Sequence, residues 1–528
     1  SKTTRTGGEY GRGERMTTDS TNTLFGAFRE SIDNPDAPFL QEPDGTVVSY
    51  DGMLRRSAQF ANALVALGVT PGDRVASQVD KSVDALFVYL GCLRAGGVFL
   101  PLNTGYTDKE VLYFIGDAEP VVVVCMPERE GTVREIAKGC GAAHVETLAD
   151  GAGSLVEKAN AASETFEDVA RGEHDLAGIL YTSGTTGRSK GAMVTHRNLL
   201  SNAQSLAEAW RFTNQDVLLH ALPIFHTHGL FVATNTILLA GGSMIFLPKF
   251  DLETVFAALP RATSMMGVPT FYTRLLGSED FTRQSVAHIR LFVSGSAPLS
   301  ATTHQEFEER TGHAILERYG MTETNMITSN PYDGARRAGT VGIPLPGVSV
   351  RIADAETGAL KPDGEVGVIE VSGPNVFKGY WRMPEKTASE FRDDGYFITG
   401  DLGLIDEQGY VRIVGREKDL IITGGFNVYP AEVEGAIDQI SGVAECAVIG
   451  VPHPDFGEGV TAVVVRSGAS NPSARDIQAQ LTAELAKYKV PKEVYFVDSL
   501  PRNKMGKIQK NELRTRYGDT FKKGANGH

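Results

Sequence analysis

The sequence is poor in cysteine. Its 528 residues contain only Cys92, Cys125, Cys140 and Cys446, which are scattered and form no Cys-x-x-Cys pair. This pattern argues against a disulfide framework and against a zinc cluster, because both need cysteines at short, recurring spacings. It is typical of a reducing compartment, so we expect a cytoplasmic location.

Basic charge and long apolar runs are missing as well. Lys and Arg total 51 against 65 Asp and Glu, and the formal net charge is −14. Such a chain lacks the basic face that binds nucleic acids or anionic membranes, so we expect neither partner, although a small anionic substrate needs only a local positive pocket. The most apolar stretch, residues 86–102, is broken by Arg94 and a Gly-Gly pair, and we expect no membrane span.

Strand and helix signals alternate along most of the chain. Residues 51–69 and 84–94 carry apolar side chains at helical spacing, whereas the runs VVVVC and LAGILY are typical of strands buried on both faces. This alternation predicts an α/β fold with parallel-rich sheets.

The pattern changes in the last third of the sequence. After about residue 340, short strands and glycine turns predict an antiparallel, barrel-like subdomain, and from Gly425 a β-α-β-β-α order predicts a small α+β domain. We expect a flexible leader at 1–21, a large domain at 22–416 and a small domain at 417–528.

The strongest local motif is YTSGTTGRSKG, residues 181–191, directly after the LAGILY strand. Its glycines allow backbone N–H groups to approach phosphate oxygens, its hydroxyls add donors, and Lys190 adds positive charge. The spacing differs from that of a Walker A loop. The alternative is a flexible surface loop.

Two further segments carry acidic candidates. In ERYGMTET, residues 317–324, Glu323 is a candidate ligand for Mg²⁺, and the alternative is a helix start with Thr322 as its N-cap. In YFITGDL, Asp401 follows a strand and could hold ribose hydroxyls, with Arg416 as a planar partner; the alternatives are a turn aspartate and a surface arginine.

These motifs, followed by GREKDLIITGG and PRNKMGKIQK, resemble the acyl-adenylate-forming superfamily in order and spacing. The resemblance covers residues 22–517 and implies a two-step reaction. A carboxylate first attacks the α-phosphorus of Mg·ATP, which gives an acyl-adenylate and pyrophosphate. A thiol then displaces AMP to give a thioester.

The resemblance also implies roles for single residues. It places the β- and γ-phosphates on the first motif, adenine beside the SGSAP segment and Tyr319, the α-phosphate on Thr322, Mg²⁺ on Glu323 and Thr185, and ribose on Asp401 and Arg416. It makes Lys507 the catalytic lysine of the first step, with Glu323 and His226 as further catalytic residues. The implied nucleotide-binding residues are Thr182, Ser183, Gly184, Thr185, Thr186, Lys190, Ser296, Ala297, Pro298, Glu317, Arg318, Tyr319, Gly320, Met321, Thr322, Asp401 and Arg416.

The same resemblance implies that the small domain rotates about Lys418 between the two steps. Lys507 would then leave the site, and the Gly424-Gly425 loop would enter to form the tunnel for coenzyme A. Acetylation of Lys507 would remove its charge and stop the first step, which makes a lysine acetyltransferase a candidate regulatory partner.

The segment LPIFHTHGLF, residues 222–231, lies where the superfamily has its acyl pocket, so His226, Thr227 and His228 are expected to face the substrate. On a strand, the two histidines would share a face and suggest a metal pair, but no third ligand is evident. A hydrogen-bonded structural histidine is the other alternative for His228.

Arginine is the main indication of which acid is activated. Arg274 and Arg318 are expected at the pocket, where a buried guanidinium needs an anionic partner. With Ser296 they could bind a second carboxylate, and Met326 would close the pocket. The set HTHGL, GVPTFYTRL, SGSAP and ERYGMTET resembles malonyl-CoA synthetases, which implies malonate and often methylmalonate as substrates. The alternative is that both arginines pair with protein carboxylates such as Glu317.

Other functions stay open at this point. The chain could be another short-chain or dicarboxylate acyl-CoA synthetase, or a stand-alone adenylation enzyme that loads a carrier protein. A luciferase-like oxygenase is disfavoured by the arginines, and a non-catalytic binding protein by the set Lys190, Glu323, Asp401 and Lys507. The sequence does not indicate the oligomeric state.

Overall fold

The computed structural model describes residues 4–7, 22–142, 144–182, 189–424, 426–468, 470–485, 487–503 and 506–522. The predicted phosphate-loop residues Ser183, Gly184, Thr185 and Thr186 lie outside these ranges, as does Gly425 of the predicted tunnel.

Strands occur along the whole chain. They are β1 Thr4–Thr6, β2 Pro38–Gln41, β3 Val47–Ser49, β4 Arg74–Gln78, β5 Val98–Pro101, β6 Val122–Cys125, β7 His144–Thr147, β8 Leu176–Thr182, β9 Lys190–Thr195, β10 Val217–His220, β11 Ser243–Phe246, β12 Ser264–Gly267, β13 Leu291–Ser294, β14 Leu316–Met321, β15 Asn325–Ser329, β16 Ile343–Pro344, β17 Ser349–Ala353, β18 Gly367–Ser372, β19 Gly379–Tyr380, β20 Phe397–Ile405, β21 Val411–Arg416, β22 Ile421–Thr423, β23 Phe426–Val428, β24 Val443–His453, β25 Gly457–Arg466 and β26 Glu493–Phe496.

Helices separate most of the parallel strands. They are α1 Thr23–Glu30, α2 Tyr50–Ala66, α3 Val83–Arg94, α4 Asp108–Ala118, α5 Glu130–Cys140, α6 Ser154–Ala161, α7 His196–Ala209, α8 Thr236–Ala240, α9 Leu252–Ala258, α10 Pro269–Leu276, α11 Ala301–Thr311, α12 Pro384–Ser389, α13 Pro430–Asp438, α14 Ala474–Glu484 and α15 Lys510–Tyr517. A π-helix, His228–Asn235, precedes α8 directly.

Two mixed sheets form the large domain in the described part of the chain. One has the order β19-β9-β8-β5-β4-β6-β7 and the other β16-β15-β14-β13-β12-β10-β11-β2-β3. Their central strands are parallel, and antiparallel strands extend the edges. This confirms the predicted α/β class, because the helices between the parallel strands cover apolar runs such as β6, which is buried throughout.

The antiparallel part follows as predicted. A third sheet has the order β1-β17-β18-β20-β21. The small domain has a sheet of order β23-β22-β25-β24, with β26 parallel to β25, and α13 and α14 pack against it. Its apolar core is its own, since Ile421, Val448, Val460 and Leu481 are buried with one another. The boundary at 416/417 stays a prediction.

Two details differ from the sequence-based expectations. Thr4–Thr6 of the predicted leader pair antiparallel with β17, so this part of the leader belongs to a sheet. The second helix of the predicted β-α-β-β-α order, for which the apolar spacing predicts residues 474–490, ends at Glu484, where Leu485 adopts an extended backbone.

The cysteines and the apolar segments agree with the sequence analysis. All four cysteines are free thiols. In the described ranges, no helix is both long enough and apolar enough to cross a bilayer.

Candidate active site

Strand β14 directs consecutive side chains to opposite sides. Because a strand alternates its faces, Arg318 points away from the side shared by Glu317 and Tyr319. Glu317 is buried and accepts the backbone N–H of Leu299, and burial raises its pKa to about 8. The strand thus presents a carboxyl group to one region and a guanidinium to another.

The predicted ribose pair is formed where β20 meets β21. Asp401 and Arg416 are directly opposite in the antiparallel register, and Arg416 Nε lies 2.7 Å from Asp401 Oδ1. The Tyr319 hydroxyl donates to the other carboxylate oxygen of Asp401. Asp401 raises the pKa of Arg416, and burial together with Asp401 raises that of Tyr319. The alternative of a turn aspartate is therefore wrong, because Asp401 is buried inside β20. The Arg416 side chain is 39% exposed, so it is a partly exposed arginine that is held by its ion pair with Asp401.

Glu323 lies in the turn between β14 and β15, so the alternative of a helix start at Thr322 is wrong. Its Oε1 accepts the Tyr380 hydroxyl at 3.1 Å, and Lys190 Nζ lies 5.1 Å from the centroid of the Tyr380 ring. Burial raises the pKa of Glu323, while Tyr380, Arg416 and Lys190 act to lower it.

This arrangement suits a hard cation. A single buried carboxylate beside a lysine matches the way Mg²⁺ is bound through one or two carboxylates and substrate phosphates. Glu323 fits the predicted role of magnesium ligand, whereas Thr185, the other predicted ligand, lies outside the described residues. Across the described ranges, no group of three or more His, Cys, Asp or Glu could form a metal site of its own, which disfavours a metal pair at His226 and His228.

The first motif is anchored by a strand pair. Thr182 ends β8 and Lys190 begins β9, and the two residues are opposite each other in the register. Residues 183–188 between them are not described. Thr182 and Lys190 are 8 positions apart in the sequence but are neighbours across the strand pair. Tyr380 is near them, because its strand β19 pairs with β9.

The SGSAP segment leaves β13 and borders the cleft. Ser296, Ala297 and Pro298 are exposed, and Ser296 has a φ of 71°, a left-handed conformation that is uncommon outside glycine. The Ser296 hydroxyl lies 3.1 Å from His228 Nδ1. This contact joins the predicted adenine region to the predicted acyl pocket.

His228 begins the π-helix, so the strand geometry assumed for a shared face of His226 and His228 is wrong. Thr227 and His228 are buried, and burial together with Arg318 lowers the pKa of His228. Burial and Lys507 lower the pKa of His226 to about 4. Both rings are therefore neutral at pH 7, and the alternative of a structural, hydrogen-bonded His228 agrees with its contact to Ser296.

Arg318 is the most unusual residue of the site. Its side chain is buried, its Nε and Nη2 atoms have no hydrogen-bond partner in the described structure, and burial lowers its pKa to about 9. Thr227 Oγ1, His228 Nε2 and Ser294 Oγ are likewise buried without a partner among the described residues. A buried guanidinium without a protein carboxylate is costly, so this group needs an anion from outside the chain.

Arg274 differs from the expectation. It lies on α10, is exposed, and places its guanidinium 4.6 Å from the centroid of the Phe250 ring. The expectation that both arginines are shielded from water is therefore wrong for Arg274. Met326 is buried, and its methyl carbon would lie 2.5 Å from a Cβ on Gly320. Its role in closing the acyl pocket stays a prediction.

Lys507 extends from the small domain toward this cleft. Its backbone N–H donates to Asn503 Oδ1 at 2.9 Å, and its carbonyl accepts the N–H of Asn503 at 2.8 Å. Desolvation and Arg416 lower the pKa of Lys507, while Asp401 and Glu323 act to raise it. The ammonium group is therefore near the residues predicted to bind ribose, Mg²⁺ and the acid.

The predicted hinge residue Lys418 and the described tunnel glycine, Gly424, follow β21 closely in the chain. Lys418 is within the 3-10 turn Glu417–Asp419, directly after β21, and burial lowers its pKa. Gly424 is exposed with a φ of 56°, which suits glycine. The hinge and tunnel roles themselves stay predictions.

Sequence reasoning missed Tyr380, which contacts both Lys190 and Glu323. It stands 57 residues beyond Glu323, and only the pairing of β19 with β9 brings it there. A single sequence carries no signal for such a contact.

Known proteins resemble this chain along most of its length. Residues 28–381 match the family described as AMP-binding enzyme, and residues 432–507 match the AMP-binding enzyme C-terminal domain. A feruloyl-CoA synthase of Amycolatopsis sp is 39% identical over 478 residues, covering 90% of this chain and 95% of that protein. A malonate–CoA ligase of Arabidopsis thaliana is 36% identical over 480 residues, covering 85% and 78%. The crystal structure of ATP-bound MatB from Rhodopseudomonas palustris superposes with a TM-score of 0.93 at 60% identity, covering 95% of this chain and all of that one.

Proposed function

This chain belongs to the AMP-binding enzyme family, and from that premise we propose that it joins malonate to coenzyme A in an ATP-dependent reaction through a malonyl-adenylate. The single observation that carries the choice of acid is Arg318, a buried guanidinium whose Nε and Nη2 have no protein partner in the described structure. Malonate has a second carboxylate that would pair with it. Methylmalonate would share this contact and is a proposed second substrate.

The relatives include a ligase for a dicarboxylic acid, which supports the proposal, and also a synthase for an aromatic acid. The feruloyl-CoA synthase, at 39% identity, is slightly more similar to this chain than the malonate–CoA ligase, at 36%. An uncharged aromatic substituent would leave Arg318 without a partner, which a binding site for such an acid would avoid. The structure of MatB at 60% identity is the more similar neighbour.

The first step follows from the charges at the cleft. One carboxylate oxygen of malonate forms a bond to the α-phosphorus, and the bond from that phosphorus to the bridging oxygen of pyrophosphate breaks. Negative charge is gathered on the α-phosphoryl group, and Lys507 and Arg416 are two of the cations near it, with Lys190 beside Glu323. Lysine placed between the two reactants lowers their repulsion and orients them. Asp401 and Tyr319 hold the nucleotide end.

Magnesium, held by Glu323, would supply neutralisation of the phosphate charges when bound. Glu323 is fixed by Tyr380, which keeps one carboxylate oxygen engaged and directs the group. In the second step, the sulfur of coenzyme A attacks the carbonyl carbon of malonyl-adenylate and the thiol gives its proton to water. The bond from that carbon to the phosphate oxygen breaks, and AMP leaves with the former carboxylate oxygen. We propose that the small domain turns about Lys418 before this step.

The decisive experiment compares acids and arginine variants. Thioester formation and ATP–pyrophosphate exchange are measured with malonate, methylmalonate, acetate, butyrate and ferulate. We expect malonate to be used at least 100-fold better than acetate by the wild type, and this preference to fall to below tenfold in Arg318→Met. Arg274→Ala tests the role that the sequence predicts for the exposed arginine. Faster turnover of ferulate than malonate, or an unchanged preference in Arg318→Met, would contradict the proposal.

A carrier-loading enzyme is the alternative in the same family. It is distinguished by the acceptor: malonyl transfer to coenzyme A supports the proposal, and transfer only to a pantetheinylated carrier protein opposes it.

A further inference from the structure

Lys81 borders a cavity next to the predicted acyl pocket, and the proposed reaction gives this lysine no function. Its Nζ is 2.8 Å from His220 Nδ1, 2.9 Å from the His220 carbonyl oxygen and 4.3 Å from the centroid of the Phe246 ring. In the part of the chain that the structure describes, no carboxylate forms an ion pair with this ammonium group. The cavity has a volume of about 450 Å³, and Phe225 and Phe250 also line it.

His220 connects this lysine to the acyl pocket. The ring is buried at the end of β10, and its Nε2 is 2.7 Å from the carbonyl oxygen of Gly229. The Gly229 carbonyl can only accept, so Nε2 of the neutral ring must carry the proton and donate to it. Nδ1 is then the acceptor for Lys81 Nζ, an amine whose pKa burial lowers. Burial and Lys81 lower the pKa of His220, which agrees with a neutral ring.

The peptide unit between Gly229 and Leu230 is held at both ends. Its carbonyl accepts from His220 and, at 2.9 Å, from the Thr234 hydroxyl, while the Leu230 N–H donates to the carbonyl of His226 at 3.0 Å. Because a peptide unit is planar, fixing its carbonyl also fixes the direction of its N–H. The first turn of the π-helix, with His226 before it and His228 within it, depends on this unit.

The glycine makes the position sensitive. A Cβ on Gly229 would lie 1.9 Å from the carbonyl oxygen of Pro223, so the two backbone segments are in close contact. A change in the orientation of the Gly229–Leu230 peptide could not be absorbed by the neighbouring backbone. It would instead move His228, whose Nδ1 contacts Ser296 at 3.1 Å.

We propose that Lys81 is a positioning residue of the acyl site: it selects the Nε2–H tautomer of His220, which holds the Gly229 carbonyl and thereby sets His226 and His228. Without Lys81, the ring proton can move to Nδ1, where the cavity offers water. Nε2 would then turn a lone pair toward the Gly229 oxygen. Thr234, 3.4 Å from Nε2, would be drawn to the ring, and the carbonyl would lose both donors.

The proposal concerns the acid site of the proposed malonate-activating enzyme, and a double-mutant cycle tests it. Gln at position 220 carries an amide donor near the place of Nε2 and has no tautomer to select. We expect Lys81→Met to raise the KM for malonate about tenfold and leave the KM for ATP within twofold. His220→Gln should raise the KM for malonate by less than about threefold. Adding Lys81→Met to that variant should change this KM by less than twofold.

A substrate-independent readout keeps this test separate from the proposed function. Long-range ¹H–¹⁵N spectra of histidine-labelled protein, with His220 assigned from the His220→Gln variant, should show Nε2–H in the wild type and loss of that pure signature in Lys81→Met. Lys81→Arg keeps the donors and should retain the Nε2–H tautomer and the KM; it also serves if Lys81→Met does not fold.

Three results would overturn the proposal. One is an equal effect of Lys81→Met in both backgrounds, which indicates a merely structural lysine. The others are an unchanged tautomer in Lys81→Met and a loss in Lys81→Arg as large as that in Lys81→Met. If the wild type does not use malonate, the proposed function fails, while the tautomer measurement still decides on Lys81.

Discussion

Glu317 and Arg318 are adjacent in the chain, yet they lie on opposite faces of β14 and do not neutralise each other. Both side chains are buried, and each has atoms without a hydrogen-bond partner among the described residues. Burial raises the pKa of Glu317 and lowers the pKa of Arg318. Each group would therefore be stabilised by a ligand that supplies the missing hydrogen-bond or charge partner.

Arg318 should reduce the stability of the free protein. Replacing a buried, unpaired charge with an apolar side chain of similar length is often stabilising, so Arg318→Met should raise the free energy of unfolding by about 1–3 kcal/mol without malonate. Urea denaturation measures this. Malonate should stabilise the wild type and not the variant. Arg274→Met, at an exposed position, should change the free energy by less than about 1 kcal/mol. Loss of stability in Arg318→Met would show that the guanidinium has a protein partner.

Glu317 should make stability depend on pH. Its pKa is raised from 4.5 to about 8 in the folded state, so between these values the unfolded chain is ionised and the folded one is not. Stability contributed below pH 4.5 is therefore lost as pH rises toward 8, by up to about 1.4 kcal/mol per pH unit.

The measurement is the free energy of unfolding at pH 5, 6, 7 and 8 for the wild type and Glu317→Gln. The difference in the free energy of unfolding between the two proteins should change steadily from pH 5 to pH 8, because the wild type loses more stability than Glu317→Gln as the pH rises. Glu407→Gln, at an exposed carboxyl, should give a curve parallel to that of the wild type. Parallel curves for Glu317→Gln would mean that Glu317 is ionised in the folded protein.

Lys507 should matter for the first step alone. Removing a positive charge from the site where negative charge develops costs about 10²–10³ in rate, so Lys507→Met should lower malonyl-adenylate formation by that factor. Thioester formation from preformed malonyl-adenylate should stay within about threefold. Lys487→Met, at an exposed lysine of the same domain, should leave both steps unchanged. An equal loss in both steps would contradict the proposed rotation of the small domain.

Tyr380 should influence the use of magnesium. Its hydroxyl donates to Glu323, and a hydrogen bond to a charged group contributes about 1.5–3 kcal/mol. Tyr380→Phe should therefore raise the Mg²⁺ concentration for half-maximal activity by at least about tenfold, measured at saturating ATP. Tyr396→Phe removes a hydroxyl 2.7 Å from Ser349 in another sheet and is the matched control. An unchanged requirement for Mg²⁺ would mean that Tyr380 does not orient Glu323.

Local patterns predicted the fold class well. The helix expected over 84–94 is Val83–Arg94, and the run VVVVC contains β6, because apolar periodicity reports directly on which faces are buried. The end of α14 was less predictable, since apolar residues continue beyond it and only Pro491 signals a stop.

The site is predictable where one segment of sequence carries the geometry. Asp401 and Arg416 both lie in residues 396–421, and the antiparallel register of β20 and β21 brings them together. The exposure of Arg274, the π-helix at His228 and the contacts of Tyr380 depend on tertiary packing, which no short window of sequence encodes. Lys81 and His220 are 139 positions apart, and their contact likewise depends on tertiary packing.

The close approach of Gly295 to Arg318 has a consequence for redesign. A Cβ at position 295 would lie 2.1 Å from the Arg318 Cζ, so any larger side chain there evicts the guanidinium. The two positions must therefore be exchanged together. A paired Gly295→Ala and Arg318→Ala replacement should remove the anion receptor and turn the enzyme toward monocarboxylic acids, whose apolar ends can occupy the space that the arginine side chain leaves.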